Sequence, residues 1–559
     1  MDDQTARQTQ ATTTLSATIG REAPSRGPYR TLVVGPGEPF SVRRDLGGAQ
    51  PDRFQPLVCF VQLSDLHVTD AQSPARAEFL DRFGDADSEL APLLGRIGVY
   101  RPQETLTAHV VEAMARAVSR VERGPLTGAR VQFALSTGDA TDNCQSNELR
   151  SYIDLLDGGR IVSTNSGHPD RFEGVGAAEH FDPRYWHPDG SPEGEEPDLP
   201  RALHGFPLVP DLLPSTLRPI TASGLPLPWF AVYGNHDALF GGTLFPHDVL
   251  ADVALGTVKA IGLAPDADPL HLLVNNEVGP SPALWGLISA PTRRVTADPE
   301  RRPVTADEWI TRHLTDPSDP PGHGLASAPA GRCYYGFDAG IVRFLVLDTV
   351  NPAGGWQGSI DEAQLDWLEA ELIAGSGKFR DASGNRRRHD AANRLFVLVS
   401  HHPLETLMND FSPNGTRRHL APTLERLLSR FKNVICWVNG HTHTNTIRAI
   451  CQSEPDSSGG LWQVTTASHI DWPQQSRVIE IALDVTNGDL VIATTMIDHL
   501  GLVDPRSGPL DEVETLAGWS RELSANAWQG RVDDKPVGRG APLDRNTMLV
   551  VPAPFEIPT

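Results

Sequence analysis

Five short apolar runs in this chain end in side chains that hold metals or move protons. LVCFVQLSDLH ends in Asp65 and His67. VQFALSTGDATDN ends in Asp139, Asp142 and Asn143. PWFAVYGNHD ends in Asn235, His236 and Asp237, LFVLVSHHP in His401 and His402, and VICWVNGHTH in His441 and His443. Taken alone, Gly138-Asp139-Ala-Thr-Asp142 reads first as an acidic turn, a setting that Asp and Asn favour. Its repetition at four other run ends turns the reading toward a metal centre. On an extended segment, residues i and i+2 face one side, so Asp65/His67 and His441/His443 are each expected to reach one centre. Gly138, Gly234 and Gly440 stand just before the polar groups, where a tight turn or a close approach wants no side chain.

Elements must bring these ends together. The apolar runs, with a sixth in IVRFLVLDT, are rich in Val, Phe, Leu and Ile and bounded by turn residues, the pattern of strands buried on both faces. Between them, Leu106, Val110, Met114, Ala117 and Val121 follow helical spacing. So do Leu365, Leu368 and Leu372, with Ser359 and Glu362 fitting a capping box before them. Strands alternating with helices predict an α/β architecture, whose ligands gather outside the carboxyl ends of the strands. VIEIALDVTNGDLVIATTMI predicts a late antiparallel hairpin around Asn487-Gly488. Residues 1–50 read as an N-terminal tail with one strand near 29–34, 51–504 as the catalytic unit, and 505–559 as a C-terminal extension. Two stretches rich in Gly, Pro and charge, about 157–226 and 238–332, read as insertions over the core.

Composition narrows the class. The 559 residues are 39% hydrophobic and 21% charged, as in a globular chain. The formal net charge of −23 disfavours nucleic acid as a partner, because backbone binding needs clustered Lys and Arg. Arg386, Arg387 and Arg388 are the densest basic run and read as a solvated loop. No stretch of 18 apolar residues suggests a membrane span. The polar, acidic start lacks a secretory pattern, so the chain as written is expected in the cytoplasm. The five cysteines are scattered and form no CxxC pair, which argues against a disulfide framework or a zinc knuckle.

The ordered set Asp65-Leu-His67, Gly138-Asp139-Ala-Thr-Asp142, Gly234-Asn235-His236-Asp237, His401 and Gly440-His441-Thr-His443 resembles the calcineurin-like metallophosphoesterase superfamily. The class III cyclic-nucleotide and glycerophosphodiester phosphodiesterases look closest, through FLVLDTVNPAGGWQGSIDEAQLDWLEAEL. The long inserts also resemble an actinobacterial group of metallophosphoesterases that generally carry a twin-arginine leader, which this chain does not show. The resemblance implies a four-layer α/β/β/α sandwich of two mixed β-sheets with long insertions. It implies two divalent metal ions, manganese or iron before zinc. Asp65, His67 and His443 would hold the first ion, Asn235, His401 and His441 the second, and Asp139 would bridge them. A metal-bridging hydroxide would attack a small-molecule phosphate ester, a diester in preference to a monoester, while His236 donates a proton to the leaving group and Asp237 orients it. Asp142 and Asn143 are expected in supporting or substrate-facing places. His402 is expected to point away from adjacent His401, and His469, near Asp471 and Trp472, is a further candidate. Trp356 and Trp472 could stack on a ring, although a core role is the default. The rival readings are a phosphomonoesterase or nucleotidase, a nuclease, and a non-catalytic scaffold.

Overall fold

The computed structural model describes residues 13–558 apart from 24–26, 86–87, 91, 93–99, 265–289, 316, 452–458, 529–530 and 533–534. All six apolar runs form strands, and they divide between two mixed sheets. A seven-stranded sheet has the order 41–43, 547–551, 490–498, 475–484, 54–63, 133–136, 229–231. Its last three strands are parallel to one another. A six-stranded sheet has the order 335–339, 342–346, 395–399, 434–439, 460–465, 446–451, with the middle four parallel.

Alternation along each strand explains why the sheets stack. In the six-stranded sheet, Val342, Phe344 and Val346 face the inter-sheet core, as do Leu395, Val397 and Val399. Their neighbours Leu345, Leu347, Phe396 and Leu398 face outward onto the helices Glu362–Ala374 and Ala421–Leu428. The inner layer is aromatic. Phe60 stacks on Phe133 at 5.2 Å between ring centroids, and Phe344 meets both edge-on at 5.3 and 5.2 Å. Helices Thr107–Val118 and Ser146–Asp157 cover the other face of the seven-stranded sheet through Val111, Met114, Leu149 and Ile153. The result is an α/β/β/α sandwich.

Several details differ from the sequence expectation. Helix Glu362–Ala374 is capped by Asp361, whose carboxylate accepts the Gln364 amide at 2.8 Å; Ser359 instead accepts from Arg418. Asp361 has the same spacing to the chain's N3 amide that makes any Asp an effective cap. The strand expected near 29–34 spans Leu32–Pro36. The N-terminal segment also supplies strand Ser41–Arg43 to the large sheet, beside Thr547–Val551 from the C-terminal segment. Such pairing joins chain ends some 500 residues apart, which no local pattern encodes. Helix Val513–Asn526 packs Leu516, Trp519 and Leu523 onto Trp186, Phe206 and Leu212 of the first insertion. The Asn487-Gly488 hairpin forms as expected, pairing Leu483 with Leu490. No helix among the described residues is long and apolar enough to cross a membrane. Cys59 and Cys436 lie in the core, and the basic run Arg386–Arg388 is exposed.

Replacing the Asp361 cap tests this assignment. Asp361→Ala is expected to cost about 1 kcal/mol in urea unfolding and to speed amide exchange at Gln364. Unchanged exchange at Gln364 would return the cap to Ser359.

Candidate metal centre

The sheet registers place the five run ends at one level. Leu63 pairs with Ser136 and Ser136 with Ala231 in one sheet; Val399 pairs with Val438 in the other. The candidate metal-binding side chains follow within five residues of these positions, so loops from two sheets converge over the carboxyl edge. The chain does not stay extended there. Asp65, His67, Asp139, His441 and His443 have φ of 49°, 44°, 48°, 71° and 54°, and they are five of nine described non-glycine residues with positive φ. Left-handed turns, not strand alternation, aim the paired residues. Such conformations cost about 1–3 kcal/mol each and persist where surrounding bonds impose them.

Those bonds are visible. The Asp65 carboxylate accepts the His441 amide at 2.9 and 3.1 Å, and Asp139 Oδ1 accepts the His236 amide at 2.8 Å. The glycines make room: a Cβ on Gly138 would overlap His401, and one on Gly440 would overlap Ser64 and Asp65.

The histidines share one design. His67 Nδ1–H donates to Asp142 Oδ1 at 2.9 Å, His401 Nδ1–H to the Thr137 carbonyl at 2.9 Å, and His443 Nδ1–H to Asp471 Oδ2 at 2.7 Å. A carboxylate or carbonyl can only accept, so each bond puts a proton on Nδ1 and leaves Nε2 facing inward to take a proton or a cation. These Nε2 atoms meet. His67 Nε2 lies 3.1 Å from His443 Nε2, and His401 Nε2 lies 3.2 Å from His441 Nδ1 and 3.0 Å from Asp139 Oδ2. This is the arrangement of metal-binding imidazoles, whose second nitrogen is held by an acceptor behind them. Asp65, His67 and His443 form one group with ligand atoms within 4.8 Å of one another; Asp65, Asp139 and His401 form another. Asn235 donates its Nδ2 to the Gly242 carbonyl at 3.0 Å, while its buried Oδ1 has no protein partner. A buried amide oxygen without a donor is costly unless something accepts its lone pair, and a cation would. The residues present thus fit two divalent ions in mixed imidazole, carboxylate and amide coordination.

Electrostatics agree. Burial opposes charge on His401 and His443, yet Asp139 raises the first to about 9, and Asp471 with Asp65 raises the second to about 9. Burial likewise opposes ionisation of Asp139, but the histidines led by His401 hold it well below the usual carboxylate range. The cage concentrates negative charge and draws cations.

The remaining predicted residues fall around the cage in defined places. His236 donates Nδ1–H to the Asp142 carbonyl at 2.7 Å, packs edge-on to His67 at 4.6 Å, and is 19% exposed at the opening. Burial pulls its pKa down to about 4. Asp237 does not reach the His236 ring. It accepts the Ala140, Thr141 and Gly234 amides, at 3.0, 3.0 and 2.9 Å, and so locks the two loops together. Asp142 also binds Arg76; although burial opposes its charge, that guanidinium holds its carboxyl far below the usual range. Asn143 turns to Glu148. His402 is not swung away from His401, because the backbone has left the strand; their rings lie 5.0 Å apart. Its Nε2–H donates to the Trp356 carbonyl at 3.1 Å and its Nδ1 accepts from Thr349, so both nitrogens are used. His469 is similarly spent, on the Ser64 carbonyl and Ser476 Oγ, and supports the Asp65 loop from behind. Trp472 packs with Leu32 and Ala525. Cys144 is buried, which pushes its thiol well up.

Of the supporting residues, Asp471 was named only alongside His469; it, and not His469, holds His443, and it is itself held by Arg101 at 2.8 Å. Two others were not legible. Arg76 ties Asp142 to Glu104. Lys259 donates to the Ser73 carbonyl at 2.7 Å and to Glu78 at 2.9 Å, fixing the loop that carries Arg76. The only sequence signal of these two is their charge, which many surface residues share.

The fold and cage together describe a two-sheet α/β sandwich with a candidate dinuclear metal centre at its strand ends. The solved structures to which the chain is similar include the following two. One is a dimetal phosphatase from Danio rerio, with 14% identity, TM-score 0.31, and coverage of 80% of this chain and 100% of that one. The other is PhoD, with 10% identity, TM-score 0.27, and coverage of 89% and 81%. No protein-family profile and no curated protein matches the sequence. Likeness at these scores says nothing of chemistry, and the functional reading rests on the cage itself.

Asp471→Asn keeps the shape but weakens the acceptor behind His443. It is expected to lower Mn²⁺ affinity about 10–100-fold by calorimetry; unchanged affinity would remove His443 from the ligand set. Gly440→Ala is expected to displace Asp65 and reduce bound metal by elemental analysis, with circular dichroism unchanged.

Proposed function

We propose that this protein is a metal-dependent phosphoric ester hydrolase that uses two divalent ions and acts on phosphodiesters. The observation that carries the reading is the convergence of imidazole lone pairs and carboxylates from five strand ends, each imidazole but His441 braced from behind. Asp65, His67 and His443 would hold one ion, Asn235, His401 and His441 the other, and Asp139 both. When bound, two such ions would supply Lewis acidity toward phosphate oxygens and acidify an attacking water.

The chain's own residues do the rest. His236 stands at the opening with Nδ1–H fixed on a carbonyl, so its Nε2 is the nitrogen left to exchange a proton with a leaving-group oxygen. Asp237 sets the position of His236 by locking its loop to the Asp139 loop. Among the described residues, Arg76 and Arg101 are committed behind the cage, to Asp142 and Asp471. A singly charged diester needs fewer protein cations than a doubly charged monoester, which supports the diester preference.

Activity with added Mn²⁺ is expected to be higher on bis(p-nitrophenyl) phosphate than on p-nitrophenyl phosphate; dominant monoester turnover would reverse the preference. Asp139→Ala is expected to lose both metals and nearly all activity. His236→Ala is expected to keep its metal and to lose about 10²–10⁴-fold in rate on alkyl esters, and less on p-nitrophenyl esters. Equal metal loss in the two variants would contradict these roles.

A further inference from the structure

Among the described residues, three aromatic side chains are exposed: Phe245 at 46%, Trp356 at 51% and Phe411 at 41%. A scattered exposed aromatic is unremarkable in a protein of this size. These three are not scattered. Trp356 lies over His441, its ring 5.8 Å away and tilted by only 22°, and its carbonyl holds His402. Phe245 follows the turn in which Gly242 makes room for His236 and receives the Asn235 amide. Phe411 follows Asn409, whose Nδ2 donates to the carbonyls of Gly354 and Gln357 at 2.9 and 3.1 Å. The Gly355 amide donates to the Thr243 carbonyl at 2.9 Å, joining the Trp356 loop to the Phe245 loop. Asn351 Nδ2 reaches the carbonyls of Asn409 and Phe411, closing the set. Leu244 and Met408, on the same loops, are also exposed.

Three loops, laced to one another and to candidate metal-binding residues, therefore carry the three most exposed Phe and Trp side chains among the described residues. Leaving large apolar rings in water is unfavourable by about 25 cal/mol per Å², so a cluster of them beside a polar cage marks a surface that something apolar covers. The cage would take the phosphate. Building on the phosphoesterase reading above, we propose that the substrate carries a flat aromatic ring that lies against Trp356 while its phosphate occupies the metal centre, with Phe245 and Phe411 widening the platform. The ring could be an aryl group or a nucleobase; both present the same π-face to an aromatic side chain. Trp356 and its neighbours thus set specificity and take no part in proton transfer.

Calorimetry on the full chain loaded with Mn²⁺ separates this proposal from the one beneath it, because the probes are phosphonates that need no turnover. Phenylphosphonate is expected to bind about tenfold more tightly than methylphosphonate. In Trp356→Ala the ratio of the two affinities is expected to fall below about threefold, and in Phe245→Ser/Trp356→Ala/Phe411→Ser to about one. Trp356 is half exposed, so its truncation leaves the core intact. Equal affinities in the unmodified protein, or a ratio that survives the triple substitution, would overturn the aromatic platform while leaving the phosphoesterase reading in place. Failure of both phosphonates to bind would overturn the phosphoesterase reading itself. A nucleoside phosphonate distinguishes the sources: tighter binding than phenylphosphonate, lost with Trp356→Ala, identifies a nucleobase, and weaker binding identifies an aryl group.

Discussion

The buried amide of Gln62 holds the two halves of this protein in the one relation that makes a site possible. Its Nε2 donates to the Asn439 carbonyl of the opposite sheet at 2.9 Å and to Thr137 Oγ1 of its own at 3.0 Å. Its Oε1 accepts from Thr466 Oγ1 at 2.6 Å. A buried primary amide is costly unless its polar atoms are used, and here the uses lie on both sheets. The bond sits one residue before the carboxyl end of its strand. It therefore fixes the separation of the loops that carry Asp65 and Asp139 on one side and His401, His441 and His443 on the other.

Above that bridge, the structure accepts local strain in exchange for convergence. Five candidate ligand residues adopt left-handed backbone, and the carboxylates of Asp65 and Asp139 crowd against the imidazoles of His67, His401, His441 and His443. Each cost has a counterpart: the carboxylates accept backbone amides, and the imidazoles are braced by Asp142, Thr137 and Asp471. What is left over points inward: the Nε2 atoms of His67, His401 and His443, and the unpartnered Oδ1 of Asn235. A stable fold tolerates such a surplus where it serves a bound cation.

Segments 157–226 and 238–332 support this centre from behind. From the first, Ser166 binds Asp70 at 2.6 Å; from the second, Arg301 binds the same carboxylate at 3.1 Å and Lys259 grips the Ser73–Glu78 turn. Together they fix Arg76 under Asp142, and so the ring of His67. Phe245, also within 238–332, is exposed together with Trp356 and Phe411.

The sequence by itself determined the strands, because their apolar runs can be satisfied only in a buried sheet. It singled out the candidate metal-binding residues, because donor types recurred at five run ends. Helix Thr107–Val118 and the Asn487-Gly488 hairpin were equally legible, being local patterns. Tertiary structure alone decided the aim of those residues: left-handed turns replaced the expected alternation, and Asp237 went to backbone amides instead of to His236. It alone found Arg76 and Lys259, it alone gave Asp471 the task of holding His443, and it alone put Ser41–Arg43 beside Thr547–Val551. The physical reason is common to all of these. A side chain's partner is set by distances through space between segments far apart in the chain, whereas burial and periodicity are written residue by residue.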